Sequence, residues 1–259
     1  MVKETVKKLN KTIVIKVGSN VVITGRQKVD SFRLSELATQ VTILINEGYS
    51  VVLVVSGAVA AGKGLARELS QSNEHINKQI LAGLGQSYLT TEIFNAFRTK
   101  DIRTMQLLIT KDELNKENNL KDLLLESIKN NLVPVLNEND VVSLNSFGGY
   151  DHLALEVARL VNASFLVLLS NVDGLYRESL ETTEFAPIFE VKSVDERILN
   201  LAFNNKSKDG IGGMRDKLQV VKGAVTLGIN TILANGKAKD ILTRLILQKE
   251  QVGTHFCVS

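Results

Sequence analysis

The chain has 259 residues, a length typical of one large α/β domain or two small ones. Hydrophobic residues make up 44% of it, which is enough for a substantial core and excludes wholesale disorder. The formal net charge of +3 comes from scattered lysines without a long basic run, so the charge gives no reason to expect nucleic-acid binding.

A single cysteine, Cys257, excludes a disulfide within the chain and a zinc site built from several cysteines. The first residues contain no long apolar segment like that of a secretory signal peptide, and no stretch of 18 apolar residues occurs anywhere. We therefore expect a cytoplasmic protein without a membrane partner.

Apolar strands alternate with amphipathic helices along the sequence. The predicted strands are residues 12–18, 49–57, 102–110, 132–137, 164–170 and 228–236, and the predicted helices are 31–47, 58–66, 75–100, 115–130, 151–162 and one that begins near Met214. Nearly continuous apolar strands separated by helices are typical of a parallel sheet covered on both faces. The more polar segment 172–210 is interpreted as an inserted hairpin and loop region.

Polar residues, most of them accompanied by glycine, follow five of the predicted strands. In open α/β sheets, ligands bind outside the carboxyl ends of the strands. If the strands are parallel, these ends meet at one rim, and the sequence predicts a ligand site there. The five strand ends are residues 16–20, 56–58, 137–140, 170–174 and 235–236.

The segment GAVAAGKG at residues 57–64 nearly matches the P-loop pattern. Gly64 stands where that pattern needs the hydroxyl group that holds Mg²⁺, and the residues between the glycines favour a helix. We interpret Gly57 as a turn and residues 58–66 as a helix whose N-terminal amides face the rim, where they can bind an anion. An ordinary helix start is the alternative, and it is compatible with binding.

A second glycine cluster, GIGGMRDK at residues 210–217, leads into the last predicted long helix. Its glycines allow a ligand to approach the backbone closely, although a flexible surface loop is the alternative. Lys16 places a charge inside an apolar strand, which is costly unless the charge is paired. A lysine that reaches from the strand end to solvent is the simpler interpretation of Lys16 alone. Together with Lys217 and the loop, it favours phosphoryl transfer, which requires positive charge around the transferring group.

Seven segments, in order from about residue 12 to residue 256, carry a family resemblance. They are IKVGSN, VVSGAVAAGKGLA, LAGLGQSYL, VPVLNENDVV, SNVDGLY, GIGGMRDK and the final GTHF. They resemble the glutamate 5-kinases of the amino acid kinase family. The resemblance implies an αβα sandwich around a mainly parallel sheet, with residues 1–259 as a single domain. Its acceptor-binding part would be about 1–163 and its nucleotide-binding part about 164–259.

The resemblance also implies an activity. The enzyme would use ATP and Mg²⁺ to phosphorylate the side-chain carboxylate of L-glutamate, giving L-glutamyl 5-phosphate and ADP in the first step of proline biosynthesis. Members are homo-oligomers, so a dimer or a tetramer is expected, and proline is a common feedback inhibitor. Many members carry a C-terminal PUA domain, and the resemblance here is to a form without it.

Residue by residue, the resemblance implies three groups of functional side chains and no metal ligand. Lys16 and Lys217 resemble the catalytic lysines, and Asp151 resembles the carboxylate that orients them. The glutamate-binding group is Ser56, Gly57, Asp140 and Tyr150, and the nucleotide-binding group is Lys16, Gly18, Ser19, Ser170, Asn171, Ile211, Gly212, Gly213, Met214 and Lys217. A carboxylate nucleophile is already ionised at pH 7, so no general base is needed. Asp140 would pair with the ammonium group of the substrate.

The sequence departs from the family pattern at three places. Family members usually read G-D-N-D where this chain has Gly-Gly-Tyr-Asp at 148–151, so Tyr150 replaces an asparagine that touches glutamate. We interpret Gly149 as making room for the tyrosine ring. The other two changes are Ser170-Asn171 in place of T-D, and Val55-Ser56-Gly57 in place of S-S-G.

Three hypotheses account for the Tyr150 change. Glutamate remains the substrate in a repacked loop, or the acceptor is a different small acidic or phosphate compound, or the protein is a ligand sensor without turnover. Retention of both lysines and of Asp140 and Asp151 favours an enzyme. For Glu138, in the same acidic cluster, we expect a solvated loop position.

Overall fold

The structure is a computed structural model that describes residues 11–66, 74–144, 146–177, 186–201 and 213–258. Ten strands run through these residues: β1 Thr12–Val17, β2 Ser50–Val55, β3 Arg103–Ile109, β4 Leu132–Glu138, β5 Phe165–Ser170, β6 Leu175–Arg177, β7 Ala186–Ile188, β8 Glu190–Val191, β9 Asn230–Asn235 and β10 Thr254–Phe256. The same residues form ten α-helices: α1 Ser19–Val22, α2 Ser31–Asn46, α3 Ala58–Leu65, α4 Glu74–Arg98, α5 Lys111–Asn115, α6 Glu117–Lys129, α7 Tyr150–Leu160, α8 Glu196–Asn200, α9 Met214–Thr226 and α10 Ile241–Ile246.

Eight strands form one sheet in the order β3-β4-β2-β1-β5-β9-β10-β8. The first six of these strands are parallel neighbours, whereas β10 pairs with β9 in the antiparallel sense. Val17 pairs with both Val55 and Leu169, so the carboxyl ends of the three central strands lie level with one another. The predicted mainly parallel sheet and its polar rim are therefore confirmed.

Alternate residues of β1 face two separate cores. Val14 belongs to a core that includes Leu153 of α7 and Leu218 of α9. Ile15 belongs to the opposite core, which includes Leu34 of α2. All six residues of β1 are buried because helices cover both faces of the sheet, as the continuous apolar run predicted. The expected αβα sandwich is confirmed.

The predicted elements differ from the observed ones in a few places. The helix predicted over 115–130 is α6, Glu117–Lys129, and the short helix α5, Lys111–Asn115, which was not predicted, precedes it. The short helices α1, α8 and α10 were not predicted either. The inserted region contains the expected hairpin, β6 with β7, and also contributes β8 to the edge of the main sheet. Residues 178–185 and 202–210 of that region lie outside the described residues. Among the helices described, none has both the length and the apolar character needed to cross a membrane.

Helices α3 and α4 cross at two glycines. A Cβ atom added at Gly62 would lie 1.9 Å from the carbonyl oxygen of Leu81, and one added at Gly85 would lie 1.8 Å from that of Ala58. Gly62 is thus a helix-packing residue, and Gly57, with φ +129°, makes the turn before α3. This confirms the helix interpretation of 57–64 over the P-loop one, and the crossing fixes the start of α3 at the rim.

We expect Gly85→Ala to destabilise the protein by about 2 kcal/mol or more, because backbone atoms would have to move to admit the methyl group. Gly83→Ala is a matched control on the same helix, since its added Cβ would meet Val141 at an ordinary 3.7 Å. That control should stabilise the protein slightly, by about 0.5 kcal/mol, through helix propensity. Urea unfolding of both variants tests the prediction, and equal stabilities would contradict the close crossing.

Candidate active site

Two lysines from different elements converge on one aspartate at the carboxyl rim. The Lys16 Nζ atom lies 2.8 Å from Oδ1 of Asp151, and the Lys217 Nζ atom lies 2.5 Å from Oδ2. The side chains of Lys16 and Asp151 are each only 9% exposed. The interpretation of Lys16 as a strand-end lysine that reaches solvent was therefore wrong, because an ion pair keeps its charge inside the protein.

The elements that carry these residues fix their directions. Lys16 lies one residue before the end of the central strand β1. Asp151 lies in the first turn of α7, and Lys217 is the fourth residue of α9. Helix α9 begins after Gly213, whose backbone N–H donates to the Asp216 carboxylate at 3.2 Å. The rim thus holds two ammonium groups side by side, with one carboxylate that spaces and orients both.

The charges of this cluster shift its protonation equilibria. Burial alone would raise the pKa of Asp151, but the Lys16 and Lys217 ammonium groups outweigh burial and lower that pKa from 3.8 to about 2. Burial also lowers the pKa of Lys16, and Asp151 partly opposes that shift. Asp151 is therefore ionised at neutral pH and serves as a fixed negative charge rather than as a proton donor.

The predicted acceptor residues lie at the ends of β2 and β4 and at the start of α7. The Ser56 hydroxyl donates to the Val17 carbonyl at 3.1 Å, which ties the end of β2 to β1. The Tyr150 hydroxyl donates to Oδ2 of Asp140 at 2.8 Å. Because Tyr150 directly precedes Asp151, the start of α7 connects Asp140 to the lysine cluster.

Asn137 was predicted only as part of a polar strand end, yet it is fully buried and organises that end. Its side-chain amide donates to the Val55 carbonyl, and its oxygen accepts from Gln106 at 2.9 Å. These bonds hold β2, β3 and β4 together at the rim. The sequence signal for this structural role was an asparagine at the end of a predicted apolar strand with no turn-forming glycine beside it.

Glu138 is buried, with 2% exposure, so the expected solvated position was wrong. Its Oε1 atom accepts from the backbone N–H of Phe147 at 3.0 Å. Burial raises the pKa of Glu138, with that hydrogen bond opposing the shift and the neighbouring Asp140 adding to it. Glu138 therefore anchors the loop that leads to Tyr150.

We expect Glu138→Gln to gain stability relative to the wild type as the pH rises above 4.5, the ordinary pKa of the group. A raised folded-state pKa means that the stability contributed by the protonated acid is lost as the pH climbs through that pKa. The glutamine keeps an acceptor for the Phe147 N–H and carries no charge. Urea unfolding at several pH values tests this, with Glu47→Gln at the exposed end of α2 as the control. A pH-independent difference would contradict it.

The loop before α7 depends on glycine for its backbone path. Gly148 has φ +77° and Gly149 has φ +127°, values that residues with side chains rarely adopt. A Cβ atom added at Gly149 would meet nothing within 4 Å apart from its chain neighbours, and Tyr150 is one of those neighbours, so the idea that this glycine makes room for the Tyr150 ring stays a prediction. The positive φ of Gly149 sets the direction of the chain into α7.

The predicted nucleotide side of the rim is formed by the ends of β1, β5 and β9. The Gly18 N–H donates to the Leu169 carbonyl at 3.0 Å, and an added Cβ would lie 3.1 Å from that oxygen, so the turn after β1 packs closely on β5. Ser170 is the last residue of β5, and Asn171 follows it at the same edge. Gly213 is the N-cap residue of α9 and Met214 is its first residue, and Ser19 is the first residue of α1. Ile211 and Gly212 lie outside the described residues.

A sequence profile of the amino acid kinase family matches residues 11–235. The chain belongs to the amino acid kinase family. Two relatives, each named "Glutamate 5-kinase", show how similar this member is to others. The one from Shewanella oneidensis is 34% identical over 250 residues, covering 94% of this chain and 67% of its own length. The one from Syntrophotalea carbinolica is 36% identical over 252 residues, covering 95% and 67%.

Solved structures of other proteins share the amino acid kinase fold at low identity. A UMP kinase from Bacillus anthracis superposes with a TM-score of 0.68 at 14% identity, over 96% of each chain. A carbamate kinase from Giardia lamblia gives 0.66 at 14% identity, over 96% of this chain and 99% of its own. These likenesses agree with the sandwich architecture and its parallel sheet.

Proposed function

We propose that this amino acid kinase family member is a glutamate 5-kinase. It transfers the γ-phosphoryl group of ATP to the side-chain carboxylate of L-glutamate and yields L-glutamyl 5-phosphate and ADP, the first step of proline biosynthesis. The observation that carries the proposal is the pair of ammonium groups, from Lys16 and Lys217, held 2.8 and 2.5 Å from one buried carboxylate. The relatives of that name, matched over most of this chain, support the choice of acceptor.

The lysine pair supplies the charge stabilisation that phosphoryl transfer needs. Negative charge spreads over the transferring phosphoryl oxygens, and positive groups fixed beforehand stabilise it without rearranging during the reaction. Asp151 keeps the two ammonium groups together despite their mutual repulsion. Lys16 and Lys217 would thus contact the transferring group, with Asp151 positioning them.

The remaining proposed roles divide the rim into two parts. Residues up to about 163 would bind the acceptor, with Asp140 pairing with the glutamate ammonium group and Ser56 and Gly57 contacting its carboxylates. Residues from about 164 onward would bind ATP. Its phosphates would lie against the turn after β1 and the start of α9, where backbone N–H groups favour anions. The nucleotide contacts proposed there are Gly18, Ser19, Ser170, Asn171, Ile211, Gly212, Gly213 and Met214.

A magnesium ion would be held mainly by the nucleotide. Within the described ranges, no group of three or more His, Cys, Asp or Glu side chains is placed to hold a metal ion. Mg²⁺ in kinases typically keeps several waters and binds substrate phosphates with few protein ligands, so this rim is compatible with it. When bound, the ion would neutralise part of the phosphate charge.

We also propose a homo-oligomer, a dimer or a tetramer, with proline as a candidate feedback inhibitor. Helix α4 exposes three apolar side chains at four-residue spacing, Ile76, Ile80 and Leu84, which suits contact with a second copy. Light scattering during size-exclusion chromatography tests the oligomer, and the glutamate-dependent rate with and without proline tests the inhibition.

The proposed function is tested by measuring ADP release with Mg·ATP, with and without L-glutamate, in the presence of hydroxylamine. An acyl phosphate reacts with hydroxylamine to give a stable hydroxamate. Glutamate-dependent ADP release together with the hydroxamate is the expected result. Folded protein that binds ATP but forms no hydroxamate would contradict the function and favour a different acceptor or a ligand sensor.

A further inference from the structure

Tyr150 contacts the one acidic side chain that the proposed function assigns to the substrate amine. Its hydroxyl donates to Oδ2 of Asp140 at 2.8 Å, and both side chains lie mostly out of solvent. A carboxylate has about four acceptor sites, so Asp140 can accept from Tyr150 and from a substrate ammonium group at the same time. The phenol therefore acts on the carboxylate that recognises the amine.

The backbone around Tyr150 is built to hold it in this place. Glu138 fixes the loop through the Phe147 N–H, and Gly149 then takes a left-handed conformation that directs the chain into α7. The Tyr150 ring packs against the core on the α7 side of the sheet. The glycine and the tyrosine thus belong to one arrangement, in which the hydroxyl is delivered to Asp140 from a fixed position.

Resting on the proposed function, we infer that Tyr150 is a positioning residue that sets specificity for acceptors with a free ammonium group, acting through Asp140. The hydroxyl fixes the carboxylate in the orientation that the ammonium group meets, and a fixed partner costs less to bind than a mobile one. An acceptor without an amine gains nothing from this arrangement. The hydroxyl therefore affects one functional group of the substrate and leaves the carboxylates of the substrate to other residues.

The test compares Tyr150→Phe with the wild type on two ligands that differ only by the amine. L-glutamate is followed by its KM in ADP release, and glutarate by its inhibition constant against L-glutamate. We expect the variant to bind L-glutamate about tenfold more weakly, the usual effect of losing a hydrogen bond to a charged group. The glutarate constant, the kcat and the ATP affinity should each stay within about twofold.

Two further comparisons separate the hydroxyl effect from general damage to the protein. Tyr176→Phe removes a similar hydroxyl, which donates to Asp173 at 3.0 Å on the other half of the chain, and should leave both acceptor constants unchanged. In an Asp140→Asn background, Tyr150→Phe should add less than about a twofold loss for L-glutamate, because the two side chains act as one unit.

Three results would overturn the inference. They are equal weakening of L-glutamate and glutarate, no change in either, or tighter binding of L-glutamate, which would mean that the hydroxyl competes with the ammonium group. Wild-type protein without any glutamate-dependent hydroxamate would instead overturn the proposed function itself. The two failures are therefore distinguishable.

Discussion

Replacing Lys217 with methionine is expected to lower the rate of glutamate-dependent ADP formation by about 100- to 1,000-fold, the usual cost of removing one fixed charge-stabilising group from a transition state. Methionine keeps much of the length of the side chain and removes its charge. Since the ammonium group stabilises charge that develops during transfer, kcat should fall while the KM for L-glutamate changes little.

Lys222 provides the matched control for this variant. It lies on the same helix, α9, and its side chain is exposed. Lys222→Met should leave the rate of ADP formation within about twofold of the wild type. A Lys217→Met enzyme with wild-type kcat would contradict the role of the lysine cluster in transfer.

Replacing Asp151 with asparagine is expected to cost about 3–5 kcal/mol of stability and to lower kcat by about 100-fold. The change leaves two ammonium groups adjacent and mostly buried without the carboxylate that separates them. Removing one partner of a buried ion pair is strongly destabilising because the remaining charge is uncompensated. Urea unfolding and ADP release measure the two effects, with Glu156→Gln, on the more exposed side of α7, as the control.

The stability difference between wild type and Asp151→Asn should depend on pH in a defined direction. The pKa of Asp151 is lowered from 3.8 to about 2 in the folded protein, so its contribution to stability is complete above pH 3.8 and lost as the pH falls toward 2.

Adding Lys16→Met to the Asp151→Asn variant should recover part of the lost stability, because it removes one of the uncompensated charges. The ion-pair account would be contradicted if Lys16→Met lowered the free energy of unfolding of Asp151→Asn as much as it lowers that of the wild type.

Much of the fold could be predicted because its strands are buried on both faces. A continuous apolar run such as β1 has few other stable environments, and the polar residues that end each run mark the rim. The short helices α1, α5, α8 and α10 were missed because four to six residues carry no clear periodicity.

The site was less predictable because its contacts join distant parts of the chain. Lys217 and Asp151 are 66 residues apart, and only the family resemblance suggested that they meet. Glu138 looked like a solvated acid because its burial depends on a loop that folds over it. Gly149 was explained by space alone, and the structure adds that its positive φ sets the path of the chain. Neither feature can be read from residue type and spacing alone.

The most direct test of the central claim uses L-glutamate labelled with ¹⁸O in its side-chain carboxylate. In the proposed reaction a carboxylate oxygen attacks the γ-phosphorus, the bond to the β,γ-bridging oxygen breaks and ADP leaves. When the amine of the product then closes on the activated carboxyl carbon, phosphate departs with the labelled oxygen. We predict that each released phosphate carries one ¹⁸O atom, seen as an isotope shift in ³¹P NMR spectra. Phosphate without the label would show that water is the acceptor and would contradict carboxylate phosphorylation at this site.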